Sequence, residues 1–308
     1  PELLSTQYSR SRRALGRFPV ALREQHQQHR VSRAAALRRR QAHFPGGTVY
    51  DVTHPVRREL HRRYIRQCLD NFATNSNVIQ FTSAEFTGPL AFMEFWIDTI
   101  AEWEREVSGA PLIALSATKD VQDAILSDPK RSAVVDVIDF RYWWRTDAGE
   151  FAPPGGKNLA PRQFERQWRG GRPNDRHLAG MAAEYRARYP DKPLICDFDT
   201  AGWEWVCAGG SMPRLPRTTD PALLAAIPHM QPWPEASTNG VRALRAAGSQ
   251  MLIYANERTS VDLSGETGMF RVITVDRRTG SVIPRGTIEA GSIVELPEAG
   301  IVWLRKER

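Results

Sequence analysis

Glu85 ends the stretch Asn77-Val78-Ile79-Gln80-Phe81-Thr82-Ser83-Ala84-Glu85 and is followed by Phe86-Thr87-Gly88-Pro89. The apolar run before it suits one short strand, and Thr-Gly-Pro stops a strand and can start a helix. A carboxyl group at the carboxyl end of a strand that feeds a helix is placed where β/α barrels carry out proton transfer. A solvated loop glutamate or a helix-terminus charge is the competing reading. Three other sets follow apolar runs in the same way. Lys119 and Asp120 follow 112–116, with helix capping by Asp120 as the alternative. Arg141, Tyr142, Trp143 and Trp144 follow 134–138, where aromatic faces with a guanidinium suit stacking and carboxylate recognition. Trp203 and Trp205 follow 194–198. For these aromatics the alternative is loop or core packing.

The elements that must position these residues alternate along the chain. Thr53-His54-Pro55 starts a helix, and Val56, Leu60, Tyr64, Cys68 and Phe72 repeat every four residues on one face. Strands are expected at 77–82, 112–115, 134–138 and 194–198, with a further short strand at 205–208. Helices are expected at 90–105, 121–126 and 174–189. Strands separated by helices mean parallel βα units. Two short helices are expected near 221–227 and 239–246. From Gln250 the pattern changes to period two, with strands at 251–255, 260–263, 270–275, 292–296 and 301–304. That pattern predicts a small antiparallel β-domain, with the boundary near residue 248. The domains are therefore 1–47, a basic segment without readable strands; 48–247, a domain of parallel βα units; and 248–308, the β-domain.

Composition excludes several classes. The chain has 308 residues, 41% hydrophobic and 25% charged, as ordinary globular chains do. No apolar run approaches the length of a membrane span, and no signal peptide is visible. Cys68, Cys196 and Cys207 are odd in number and lack metal-ligand spacing, so buried free thiols are expected. No His and carboxylate cluster argues for a metal. The net charge of +7 is local: residues 1–41 hold ten Arg and two Glu, +8, which leaves 7 − 8 = −1 for the rest. A basic arm can bind nucleic acid. This one lacks the interleaved aromatics of a stacking platform, so nucleic acid is not the expected partner.

The 77–89 stretch, the strand Lys192-Pro193-Leu194-Ile195-Cys196-Asp197 and the terminal β-domain together resemble the apiosidase-like, clan A type glycoside hydrolase barrels, which commonly carry a C-terminal domain described as collagen-binding. Residues 50–61, 118–126 and 156–163 resemble an uncharacterised bacterial branch of such barrels. The resemblance covers roughly residues 48–308 and implies an α/β TIM-barrel fold with a C-terminal β-sandwich. It further implies hydrolysis of a glycan by carboxylate acid/base chemistry without a cofactor, in a periplasmic or secreted protein. Glu85 matches the acid/base position, with Ala84 where the clan has Asn. Phe198 stands where the nucleophile would fall, flanked by Asp197 and Asp199, either of which would partner Glu85. An Asp in place of a Glu favours the wider, inverting separation of roughly 6.5–9.5 Å. The substrate contacts expected are Lys119, Asp120, Arg141, Tyr142, Trp143, Trp144 and Trp203. The recognisable strands are four to eight of the barrel. None of strands one to three is readable before residue 50, so a fragment or a frame-shifted start is expected. A non-catalytic carbohydrate-binding relative is the second reading.

Overall fold

The computed structural model describes residues 49–82, 88–107, 111–152, 172–237, 240–291, 293–296 and 300–307. Glu85 and the segment 1–47 lie outside the described residues. Helix α1 (Pro55–Asp70) starts at an N-cap, His54, whose side chain accepts from Arg57 N–H, with Pro55 in the first turn. It is followed by β1 (Ile79–Phe81) and α2 (Leu90–Glu106). Ile65 and Leu69 of α1 pack into one core with Phe92, Ile97, Ile100 and Trp103 of α2. The buried Trp103 indole donates to Asp70 Oδ1 at 2.6 Å, which ties the two helices together.

Next come β2 (Leu112–Ser116), α3 (Lys119–Ser127), the single turn α4 (Pro129–Ser132) and β3 (Val137–Phe140). A small antiparallel hairpin, β4 (Trp144–Arg145) with β5 (Phe151–Ala152), precedes α5 (Asp175–Arg188), β6 (Leu194–Cys196), α6 (Trp203–Cys207) and α7 (Pro221–Ala226). Four strands form a parallel sheet in the order β1-β2-β3-β6. Ile113, Leu115, Ile138, Phe140 and Leu194 face the helices and build the main core. The alternate residues Ala114, Val137 and Ile195 form a small apolar cluster on the opposite face. The sheet has two edges, β1 and β6, among the described residues.

The remaining strands are β7 (Gln231–Pro232), β8 (Val241–Ala246), β9 (Gln250–Ala255), β10 (Ser260–Asp262), β11 (Met269–Val275), β12 (Val282–Glu289), β13 (Ile293–Glu295) and β14 (Gly300–Lys306). Six of them form a separate antiparallel sheet, β12-β11-β14-β9-β8-β7, and β10 pairs with β13. One face of the six-stranded sheet presents Leu252, Tyr254, Ile273, Ile301 and Trp303 to Trp203, Val206 and Cys207 of α6 and to Leu223 of α7. The other face packs with Val261, Leu263 and Leu296. The protein is thus mixed α/β, a helix-covered parallel sheet plus an antiparallel one.

Three expected elements differ, and one long strand is additional. Residues 205–207 belong to helix α6, with Ala208 as its C-cap, rather than to a strand, because the Asp175 carboxylate accepts from the backbone N–H groups of Gly202, Glu204 and Trp205, each at 2.9 Å. A remote side chain thereby satisfies the open end of the helix. Residues 241–246 form strand β8, not a helix, because each pairs with a residue of β9. The cross-strand ladder overrides the helix propensity of its alanines. The strand expected at 134–138 begins later, since Val134 and Val135 donate backwards to Arg131 and Ser132 in turns. Strand β12 escaped the sequence reading: it is a largely exposed edge strand that carries Pro284 and Gly286.

At the amino ends of the parallel strands, Asp136 accepts from Ile113 N–H at 2.8 Å and lies near Glu104 of α2. Burial, then the charge of Asp136, pushes the Glu104 carboxyl up to about 7. Folding therefore favours its protonated form, and stability held below the ordinary carboxyl pKa is lost as pH rises towards 7. Glu104→Gln should raise stability by about 1–2 kcal/mol above pH 7, allowing for solvent screening of a half-exposed group. The gain should vanish below about pH 4.5. Urea melts of both proteins at pH 4.5 and 8 check this, and a gain independent of pH would contradict it.

Candidate active site

Parallel strands leave their carboxyl ends on one side, and every second residue of a strand shares a face. The register pairs Ser116 with Asp139 and Asp139 with Ile195, directly above the apolar row Ala114–Val137. Two residues further on, Arg141 and Asp197 continue the same face. The side chains meet accordingly. Ser116 Oγ donates to Asp139 Oδ2 at 2.5 Å, and Arg141 Nε donates to the same oxygen at 3.1 Å. Arg141 Nη1 lies 3.7 Å from Asp197 Oδ2, and Arg214 Nη2 reaches Asp197 Oδ1 at 4.0 Å. The Arg141 guanidinium also lies over the Phe81 ring of β1, 5.1 Å from its centroid. The apolar row below and the polar row above thus form a floor with a charged rim.

Asp139 is only 1% exposed, and its Oδ1 has no hydrogen-bond partner among the described residues. Burial pushes its carboxyl above the usual carboxylate range, while the Arg141 charge and the Ser116 hydroxyl pull it down. Burial works against the charge on Arg141 too, but Asp139 and Asp197 outweigh it and hold the guanidinium cationic. Asp197 is more than half exposed. The cluster therefore pairs a sheltered carboxyl that resists ionising with an open carboxylate, bridged by one arginine. Such an arrangement can orient hydroxyl groups and move protons.

The structure brings together some of the sequence-derived residues and separates others. Arg141 and Asp197 meet at the strand ends. Asp199 is exposed and makes no ion pair among the described residues. Tyr142 is half-buried beside Arg141. Trp144 is half-buried and packs edge-on against Phe198, with ring centroids 5.7 Å apart. Strand β6 ends at Cys196, so Phe198 turns away from the Asp197 side and packs with Trp144 against the main core. Lys119 faces the helices: its ammonium donates to Asp123 at 2.6 Å and lies about 5 Å from the Trp143 and Phe151 rings. Asp120 accepts from Thr118 Oγ1 and Val121 N–H in the first turn of α3. Trp143 is fully buried, donating to Gln122 Oε1 at 2.8 Å. Trp203 is buried against the antiparallel sheet, with its indole donating to the Arg277 carbonyl.

Sequence reading passed over Ser116, Asp139 and Arg214. Asp139 stands two residues before Arg141 inside an apolar strand, and that spacing was the signal available. Arg214 comes from a loop, and no local pattern points to it. The three thiols behave as buried groups: burial raises Cys68 and Cys207, and it pushes Cys196 up to about 12. Among the described residues no group of three His, Cys, Asp or Glu could hold a metal ion, and no helix is long and apolar enough to cross a membrane.

The chain is similar in structure to two solved proteins. One, a "Glycoside hydrolase", superposes with a TM-score of 0.51 at 12% identity, over 81% of this chain and 69% of the other. The second is a glycoside hydrolase family 5 protein from Bacteroides vulgatus ATCC 8482, with a TM-score of 0.52 at 12% identity, over 80% of this chain and 67% of the other. At that identity the likeness speaks for a glycoside-hydrolase-like fold alone. No curated protein matches the sequence. Residues 39–230, which carry the whole parallel sheet and its charged rim, match the family described as "Domain of unknown function (DUF6298)", and the chain belongs to that family.

Proposed function

We propose that this protein is a glycoside hydrolase of the apiosidase-like, clan A type, a TIM-barrel relative with a C-terminal β-sandwich that acts on an oligosaccharide or polysaccharide. The observation that carries the reading is the rim of Ser116, Asp139, Arg141 and Asp197 at the carboxyl ends of the parallel strands. In β/α architectures that is the end at which reactions occur. Glycosidic bond cleavage needs one carboxyl group that keeps its proton and one that does not. Glu85 is the proposed acid, since it follows the β1 segment in the sequence. Asp197 is its proposed partner in preference to Asp199, because Asp197 lies within 4 Å of the Arg141 and Arg214 guanidinium groups. The half-buried Trp144 offers a ring face for sugar stacking.

The test is hydrolysis of a panel of aryl glycosides and oligosaccharides, with Asp197→Asn beside the parent protein. Turnover by the parent and its loss in the variant, by roughly 10²-fold or more, support the reading. Binding of oligosaccharides without turnover replaces it with a non-catalytic carbohydrate-binding protein, and neither binding nor turnover rejects both.

A further inference from the structure

We propose that the site prefers a sugar bearing a carboxylate, a uronate unit, which Arg214 and Arg141 hold together at the rim. This rests on the glycan reading above. Two guanidinium groups flank one carboxylate: Arg141 at 3.7 Å and Arg214 at 4.0 Å from Asp197. Neither contact is a close, forked hydrogen bond, so both cations keep donors to offer. Arg214 is 55% exposed, and its guanidinium has Asp197 as its sole ion-pair partner among the described residues. Asp199 pairs with neither arginine.

Arg141 spends its Nε on Asp139 Oδ2, and only the longer contacts to Asp197 engage the Nη atoms of Arg141 and Arg214, so Nη donors of both remain for an anionic ligand. Arg141 is already oriented, held by Asp139 Oδ2 at 3.1 Å and by the Phe81 ring. A pre-positioned guanidinium loses little freedom on binding. Its planar fork presents paired donors to the two oxygens of a carboxylate. The second arginine, open to solvent, can close on the ligand from the other side.

Calorimetric titration of the full chain tests this with tri-galacturonate, the neutral cellotriose, and a sulfated galactose trisaccharide. Tri-galacturonate is expected to bind at least about tenfold more tightly than cellotriose at low salt, with the advantage shrinking as salt rises. Arg214→Gln should remove about tenfold of the tri-galacturonate affinity and lower cellotriose affinity by a clearly smaller factor. Arg214→Lys, which keeps the charge but not the fork, should restore part of the loss. Thermal melts confirm that the variants are folded, since Arg214 is exposed and its backbone contact to Ala201 is retained. The inference is overturned if cellotriose binds as tightly as tri-galacturonate, if the sulfated sugar binds as well as the uronate, or if Arg214→Gln changes nothing. Binding of the neutral sugar alone defeats this inference but not the glycan reading. Binding of none of the three, with no turnover on any glycoside, defeats both.

Discussion

Glu85→Gln is expected to lower turnover by roughly 10²–10⁴-fold on substrates with poor leaving groups. Such a factor corresponds to about 3–5.5 kcal/mol of lost transition-state stabilisation. The amide keeps the shape of the side chain and removes the proton that the departing oxygen must take up. The loss should therefore depend on the leaving group. An aryl glycoside whose phenol departs unaided should be cleaved with a much smaller penalty, and the alkaline limb of the pH profile should disappear with the acid. Measuring kcat for an oligosaccharide and for an activated aryl glycoside separates this from a general loss of structure. Equal turnover of parent and variant on both substrates would remove Glu85 from the mechanism.

Trp205→Ala is expected to lose about 3–5 kcal/mol of stability, as emptied aromatic sites in cores do. Trp205 is fully buried in α6 and meets Phe140 of β3 edge-on, with centroids 6.1 Å apart. Its indole donates to the Ser211 carbonyl at 3.0 Å, an acceptor the alanine would leave without that donor. The ring also lies on Gly210 so closely that a Cβ there would stand 2.1 Å from it. Against a total stability of about 5–15 kcal/mol, the change would be large. Urea unfolding with an unchanged slope checks it, and a loss below about 1 kcal/mol would refute the packing argument. Gly210→Ala should destabilise by the converse route, overpacking the same contact.

The sequence by itself determined the elements whose stabilising contacts repeat along the chain. Val56 to Phe72 carries a four-residue repeat and α1 forms there, but the residues it buries are the neighbouring Ile65 and Leu69, while Tyr64 and Phe72 of the expected face are exposed. The apolar runs at 112–116 and 194–196 are bounded by turn residues, and parallel strands form there. Period-two patterning after Gln250 placed β9, β10, β11, β13 and β14. Arg141 and Asp197 were legible because a strand's end and its alternation fix which way a side chain points.

Tertiary structure decided what depends on partners remote in sequence. Whether 203–207 is helix or strand rests on the Asp175 carboxylate, more than twenty-five residues away. Whether 241–246 is helix or strand rests on its ladder with β9. Lys119 was expected at the rim, but it turns towards the helices, because Asp123 and the Trp143 and Phe151 rings offer its charge more than the strand ends do. Trp143 and Trp203 follow strands just as Trp144 does, yet both are core residues, since only packing tells an aromatic that lines a cleft from one that fills a layer. Asp139 reads as an oddity in an apolar strand until Ser116 from β2 and Arg141 from the end of β3 reach its carboxyl. A buried carboxyl is tolerated only where such partners converge, and convergence in space is not written in local spacing.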